Sequence, residues 1–205
     1  VQIPNDGKLL DCVSDLQAQL VSPRIEGLPP MHSGIMGYIG YDVVREIEDL
    51  PNIPRDDLSI PDSILSVIGE LAVFDHWKQR VILIANAIVP LGSTQKEAEM
   101  AYSEAIGRLE CLAADGTRPI HEPLLAPPVL DGELPPVEST MTKEEYCSAV
   151  EIAKEHILAG DIFQVVLSQR YDFPLRADAF DVYRVLRQTN PSPYMYYVRH
   201  DEVTL

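Results

Sequence analysis

Six prolines crowd the stretch between Ala114 and Thr140: Pro119, Pro123, Pro127, Pro128, Pro135 and Pro136. Proline fixes φ and has no N–H to donate, so neither a helix interior nor a central strand can run through them. No hydrophobic period survives there either. The chain must therefore organise as two parts, residues 1–113 and 141–205, joined by a connection over 114–140.

Both flanks carry clear periodicity. Leu9, Leu10, Val13, Leu16 and Leu20 stand at helical spacing, with Asp6 a candidate cap. "GIMGYIGYDVVREIEDLP" begins as a glycine-laced strand and turns helical over Asp42–Glu48, with Pro51 as a stop. Two strands, Ile64–Phe74 and Arg80–Ile88, are predicted as a hairpin around "DHWKQ". "STQKEAEMAYSEAIGRLECLAA" reads as a helix capped by Ser93 or Thr94. After the prolines, Thr142 and Glu145 form a capping-box pattern for a helix that stops at Gly160. A strand over Gly160–Tyr171 follows, then a helix from an Asp178 cap, broken by "NPSP". The chain closes with a strand, a turn near His200–Glu202, and "EVTL", which reads as the start of a further strand; a longer parent protein is expected. Strands alternating with helices, with hairpins, fit a mixed α/β or an α+β protein; the expected class is α+β, with large mixed or antiparallel sheets and flanking helices.

Charge narrows the partners. Lys and Arg total 16 against 32 Asp and Glu, a net charge of −16. That balance argues against nucleic acid and anionic membranes. A small anionic ligand would need local attraction against the field of the whole chain. Cys12, Cys111 and Cys147 are scattered and odd in number, which gives no disulfide framework and no metal knuckle. No apolar run reaches the roughly 20 residues of a membrane span, and the opening "VQIPNDGKLL" has no signal-peptide pattern. A cytoplasmic location is expected.

The usual catalytic motifs are missing. There is no GxGxxG and no Walker loop; Gly34, Gly37 and Gly40 recur every third residue, which suits close strand packing. The five histidines include no i,i+4 pair, so no metal site is expected of them. Asp75–His76 is read as turn chemistry. The Gly160–Tyr171 strand differs: Phe163, Val165 and Leu167 point one way, while Gln164, Val166, Ser168 and Arg170 point the other. A solvated sheet face is one explanation of that polar row. The other is a pocket wall whose amide, hydroxyl and guanidinium bind carboxylates or hydroxyls. None of these groups is a general base near neutral pH. "NPSPYM" is either a rigid turn alone or a stiff frame presenting Tyr194 and Met195 to a ligand.

At these residues a resemblance emerges. "GDIFQVVLSQR" and "NPSPYM" resemble the component I (large) subunits of anthranilate synthase, within the chorismate-utilising enzymes. "GYIGYDVVREIEDLP" and "LAVFDHWKQRVILIANA" are similar to their amino-terminal portion. Residues 1–113 would then be that portion, and 141–205 the start of the chorismate-binding domain. The resemblance implies amination of chorismate by ammonia, then loss of pyruvate to give anthranilate. It also implies Mg2+ as cofactor, a glutamine amidotransferase subunit (component II) supplying ammonia, and feedback inhibition by tryptophan. In isochorismate and salicylate synthases the position matching Gln164 is a lysine that helps activate water. Glutamine cannot take that proton, so Gln164 points to an amine-using branch. Aminodeoxychorismate synthase also fits Gln164, but "NPSPYM" favours the anthranilate branch. By the same resemblance Pro193, Tyr194 and Met195 would contact tryptophan. No catalytic residue or metal ligand is carried over, since the resemblance implies that the magnesium glutamates, the catalytic histidine and most chorismate ligands belong to a carboxyl-terminal part expected outside these residues. These residues alone are expected to be inactive; a truncated tryptophan-binding or docking module is the alternative.

Overall fold

The computed structural model describes residues 8–121, 123–124, 126, 132–201 and 203–205. They form two units, one up to residue 122 and one from residue 123. In chain order the first unit carries α1 (Leu9–Gln19), β1 (Ile35–Ile39), a 3-10 helix (Tyr41–Glu46), β2 (Ser63–Val67), β3 (Glu70–Asp75), β4 (Arg80–Ala85) and α2 (Gln95–Asp115). The second carries β5 (Glu138–Ser139), α3 (Lys143–Ala159), β6 (Tyr171–Asp172) and α4 (Ala179–Thr189).

The sheets correct the expectation of large ones. The described strands form three separate antiparallel pairs, β1–β2, β3–β4 and β5–β6. The expected strand over Ile64–Phe74 is interrupted at Ile68–Gly69, and its halves serve different sheets. The cause is local. The Ile68 N–H donates to the Gly34 carbonyl at 2.9 Å, while the Asn86 N–H donates to the Gly69 carbonyl at 2.8 Å. The backbone thus changes partner between adjacent residues. The hairpin itself is as expected, with Glu70↔Ala85 through Asp75↔Arg80 in register. Its turn rests on Asp75, which accepts from the Lys78 N–H at 2.9 Å and pairs with Arg80 at 3.3 Å. The Lys78 bond, aided by Arg80, holds the Asp75 carboxyl below its ordinary range.

Asn86 joins the parts of this unit. Its side-chain amide donates to the carbonyls of His32 (3.1 Å) and Ile68 (3.0 Å). Its own carbonyl accepts from Arg108 of α2 at 2.7 Å, and Arg108 pairs with Glu70 of β3 at 3.2 Å. Val43, Ile68, Ile84 and Ala105 are the buried apolar residues among those described, and all lie in this unit. At the start of α1 the candidate cap Asp6 lies outside the described residues. There the Glu46 carboxylate accepts from the N–H groups of Leu9 (2.6 Å) and Leu10 (3.0 Å). Negative charge at a helix N-terminus is favourable.

The expected close packing holds at Gly37 and Gly40 but not at Gly34, around which there is open space. A Cβ at Gly37 would overlap the Ile64 carbonyl oxygen of β2, and one at Gly40 would lie 2.9 Å from the Asp62 carbonyl oxygen. Thr94 and Thr142 cap α2 and α3 through complete capping boxes with Glu97 and Glu145. Gly160 ends α3 in the left-handed region at φ 83°, and Asp178 caps α4 by accepting from the Phe180 N–H.

Gly37→Ala is expected to destabilise the first unit by about 2 kcal/mol through forced separation of β1 and β2. Gly107→Ala, in α2 with open space around it, is expected to stabilise by about 0.5–1 kcal/mol. Urea unfolding followed by circular dichroism compares the two. At α3, bonds from the Thr142 N–H and hydroxyl hold the Glu145 carboxyl below its ordinary range. A lowered folded-state pKa means stabilisation that is present above the unfolded value of about 4.3 and lost as pH falls through the folded one. Thr142→Ala is expected to cost about 1 kcal/mol at neutral pH. The gap to the parent should narrow on acidification, as read by helical ellipticity.

Candidate functional site

The residues singled out for ligand contact all lie in the second unit, on the two segments that follow α3 and α4. The first begins where Gly160 turns the chain out of α3 and Asp161 N–H returns to the His156 carbonyl at 3.0 Å. The segment 162–170 joins no ladder among the described residues, and only Tyr171–Asp172 pairs, with Glu138–Ser139. This corrects the expected half-buried strand over Gly160–Tyr171. Phe163 is 101% exposed and Val166 80%, so the foreseen division into buried and polar faces is absent. The physical reason is the lack of a neighbour: with no strand alongside, the apolar row has nothing to bury against.

Gln164 and Ser168 are exposed, and Arg170 is half-buried. Arg170 is held at the end of the segment. Its N–H donates to Thr140 Oγ1 at 3.2 Å, its carbonyl accepts from the Thr140 N–H at 3.1 Å, and its side chain pairs with Asp172 at 3.1 Å.

Its neighbour Gln169 was not foreseen as a site residue, yet it organises this end. The amide Nε2 donates to Ser139 Oγ and, at 2.9 Å, to the Met141 carbonyl. Its Oε1 accepts from the Tyr171 hydroxyl at 3.0 Å. A signal for it exists in the sequence. Gln169 continues the Phe163–Val165–Leu167 row, where a polar group needs partners.

The second segment leaves α4 through Asn190, whose N–H closes the last turn on the Leu186 carbonyl at 2.9 Å. "NPSP" ends the helix as expected. Pro193 is exposed, Tyr194 is 93% exposed and Met195 is half-buried. Two residues on, Tyr197 packs against α4, edge-on to Phe180 at 5.3 Å and tilted against Tyr183 at 5.7 Å. Arg187 lies 5.7 Å from the Tyr183 ring centre. Exposure alternates from Tyr194 to Tyr197, which places Met195 with the anchored Tyr197 and leaves Tyr194 and Tyr196 outward. On either side of the expected turn, Val198 and Leu205 exchange backbone bonds at 2.8 Å. Glu202, within the expected turn, lies outside the described residues.

Among the described residues no group of three or more His, Cys, Asp or Glu side chains is arranged to hold a metal ion. No described helix is long and apolar enough to cross a membrane. In the first unit a cavity of about 140 Å³ opens between the end of α1 and the ends of β2 and β4. It is lined by Gln19, Ser22, Ser33, Val67 and Ile88 and carries no charged side chain.

Comparison with known proteins gives these features a family. The model of the chorismate binding enzymes matches residues 4–205. Anthranilate synthase component 1 of Arthrobacter globiformis is 39% identical over 196 residues, which cover 95% of this chain and 36% of that protein. The protein of the same name from Cereibacter sphaeroides is 42% identical over 190 residues, 89% of this chain and 36% of its own length. The crystal structure of anthranilate synthase component I from Streptococcus pneumoniae TIGR4 superposes with a TM-score of 0.69 at 28% identity, over 94% of this chain and 41% of that one. The chain thus spans little more than a third of the length of the curated relatives it matches. Across nearly all of its residues, it belongs to the family of chorismate binding enzymes.

Proposed function

We propose that this chain is part of the large subunit of an anthranilate synthase. The parent protein would convert chorismate and ammonia to anthranilate and pyruvate in the cytoplasm, for tryptophan biosynthesis. The observation that carries this reading is the 39% identity, over 95% of the chain, to a protein named anthranilate synthase component 1. Ammonia would come from glutamine through a partner amidotransferase subunit.

The chemistry assigned to this chain is modest. Gln164 would border the chorismate cleft, with polypeptide from the unmatched two thirds of the family's length covering the exposed 162–170 segment. Its amide donates and accepts hydrogen bonds but takes no proton at neutral pH. Neutral water is a weak nucleophile and must lose a proton to become a strong one, whereas neutral ammonia is a competent nucleophile as it stands. An amide at this position suits amination and withholds help from hydrolysis. Mg2+ would be held by residues other than those described here, and no step of the present assignment runs through it. Pro193, Tyr194 and Met195 would meet feedback tryptophan. The outward Tyr194 ring and the thioether on the Tyr197 side offer an aromatic and a polarisable surface to an indole.

The test is product analysis with chorismate, ammonia and Mg2+, using the 205 residues and a polypeptide of the relatives' full length carrying them. The longer protein is expected to form anthranilate, and the 205 residues none. Formation of 4-amino-4-deoxychorismate without anthranilate would overturn the assignment. In the longer protein, Gln164→Lys is expected to lower ammonia-dependent turnover by about tenfold or more and to admit some hydroxylated product. An unchanged rate and product would remove Gln164 from the cleft. Met195→Thr is expected to raise the tryptophan concentration for half-inhibition by about tenfold while leaving uninhibited turnover within about twofold. Equal loss of both would make Met195 purely structural.

A further inference from the structure

We propose that Gln169 is a positioning residue for the segment that carries Gln164 and Ser168; this rests on the reading of that segment as a wall of the chorismate cleft. Segment 162–170 has no ladder partner among the described residues, so its placement is set at its ends. One end is the Gly160 turn out of α3. The other is the cluster around Gln169.

That cluster closes a loop on itself. Ser139 and Gln169 are 30 residues apart in sequence, and α3 lies between them. Gln169 Nε2 bonds to Ser139 Oγ and to the Met141 carbonyl, and Ser139 Oγ donates to the same carbonyl at 2.7 Å. Met141 directly precedes Thr142, the N-cap of α3. One side chain therefore ties the entry of α3 to the strand that follows its exit. With the Tyr171 hydroxyl on Oε1, both ends of the amide are engaged.

This occupancy makes the amide specific. Both N–H groups face acceptors, and the oxygen faces a donor. A carboxylate of the same shape would set an acceptor oxygen against the Met141 carbonyl in place of Nε2 and lose both donors, while its other oxygen could still accept from the Tyr171 hydroxyl. An aliphatic side chain of similar size would leave Ser139, Met141 and Tyr171 without it. Either change frees the base of the loop and lets segment 162–170 shift relative to Thr140 and Arg170. Residues 164 and 168 lie only five residues and one residue from that anchor, so they would move with it.

The test uses Gln169→Leu and the shape-preserving Gln169→Glu, with two readouts. Hydrogen exchange on this chain should show the Thr140 and Arg170 amides opening about tenfold faster in both variants, while amides of β3 and β4 exchange as in the parent. In the protein at the relatives' full length, the KM for chorismate should rise about tenfold with kcat changed less than about threefold. Unchanged exchange at Thr140 and Arg170 overturns the anchor. Faster exchange with an unchanged KM overturns the positioning role alone, because the parent still uses chorismate. Absence of chorismate turnover in the unsubstituted full-length protein overturns the proposed function and this assignment with it. A fall in kcat with KM unchanged also counts against positioning of a binding wall. Retained α3 ellipticity in Gln169→Glu keeps the comparison valid if Gln169→Leu does not fold.

Discussion

The first unit depends on one carboxamide. Asn86 bonds through its side chain to the carbonyls of His32 and Ile68, and through its backbone to Gly69 and Arg108. Those four partners belong to the approach to β1, the junction of β2 and β3, and α2. Each such bond contributes only about 0.5–1.5 kcal/mol net, but they converge where the chain passes between sheets. A continuous β2–β3 strand would use the Ile68 and Gly69 backbone groups in one ladder. Asn86 and Gly34 occupy them instead, and two small sheets result. Arg108 extends the arrangement by pairing with Glu70, so α2 is fixed to the hairpin by charge as well as by Ala105 packing.

The second unit uses the same kind of group for a different end. Gln169, like Asn86, spends its amide on a main-chain carbonyl of another segment. There the resemblance stops. Asn86 acts beside the buried Ile68 and Ile84, whereas no described residue beyond 123 is buried. The second unit is held by caps, by the Gln169 cluster, and by the Phe180–Tyr183–Tyr197 rings. The segments 162–170 and 190–197 hang from these fixtures.

What could be read from the sequence was what is decided locally. Thr142 with Glu145, Gly160 and Asp178 mark helix ends through bonds spanning a few residues, and all three marks appear in the structure. The "DHWKQ" turn is equally local. The errors share a cause, which is dependence on distant chain. The contact missed at the start of α1 is the Glu46 carboxylate, 37 residues past Leu9. The division of Ile64–Phe74 is imposed by Gly34 and Asn86. Alternation over Gly160–Tyr171 describes a strand only if a partner lies beside it, and periodicity does not say whether one does. The candidate site suffers most from this. Gln164 and "NPSPYM" stood out by a polar row and by paired prolines, but their roles come only from family resemblance, and the local signal for Gln169 was an amide in an apolar row.

The exposure of Phe163 and its neighbours has a calorimetric consequence. The heat capacity gained on unfolding grows with the apolar area that unfolding uncovers. A unit whose apolar side chains already face water has little left to uncover, so its thermal transition should be broad and nearly flat in enthalpy. The complementary increment would appear when further polypeptide covers those side chains, as a negative heat-capacity change of association. For the region that carries Gln164, the signature of a formed core would then belong to assembly more than to the folding of these residues by themselves.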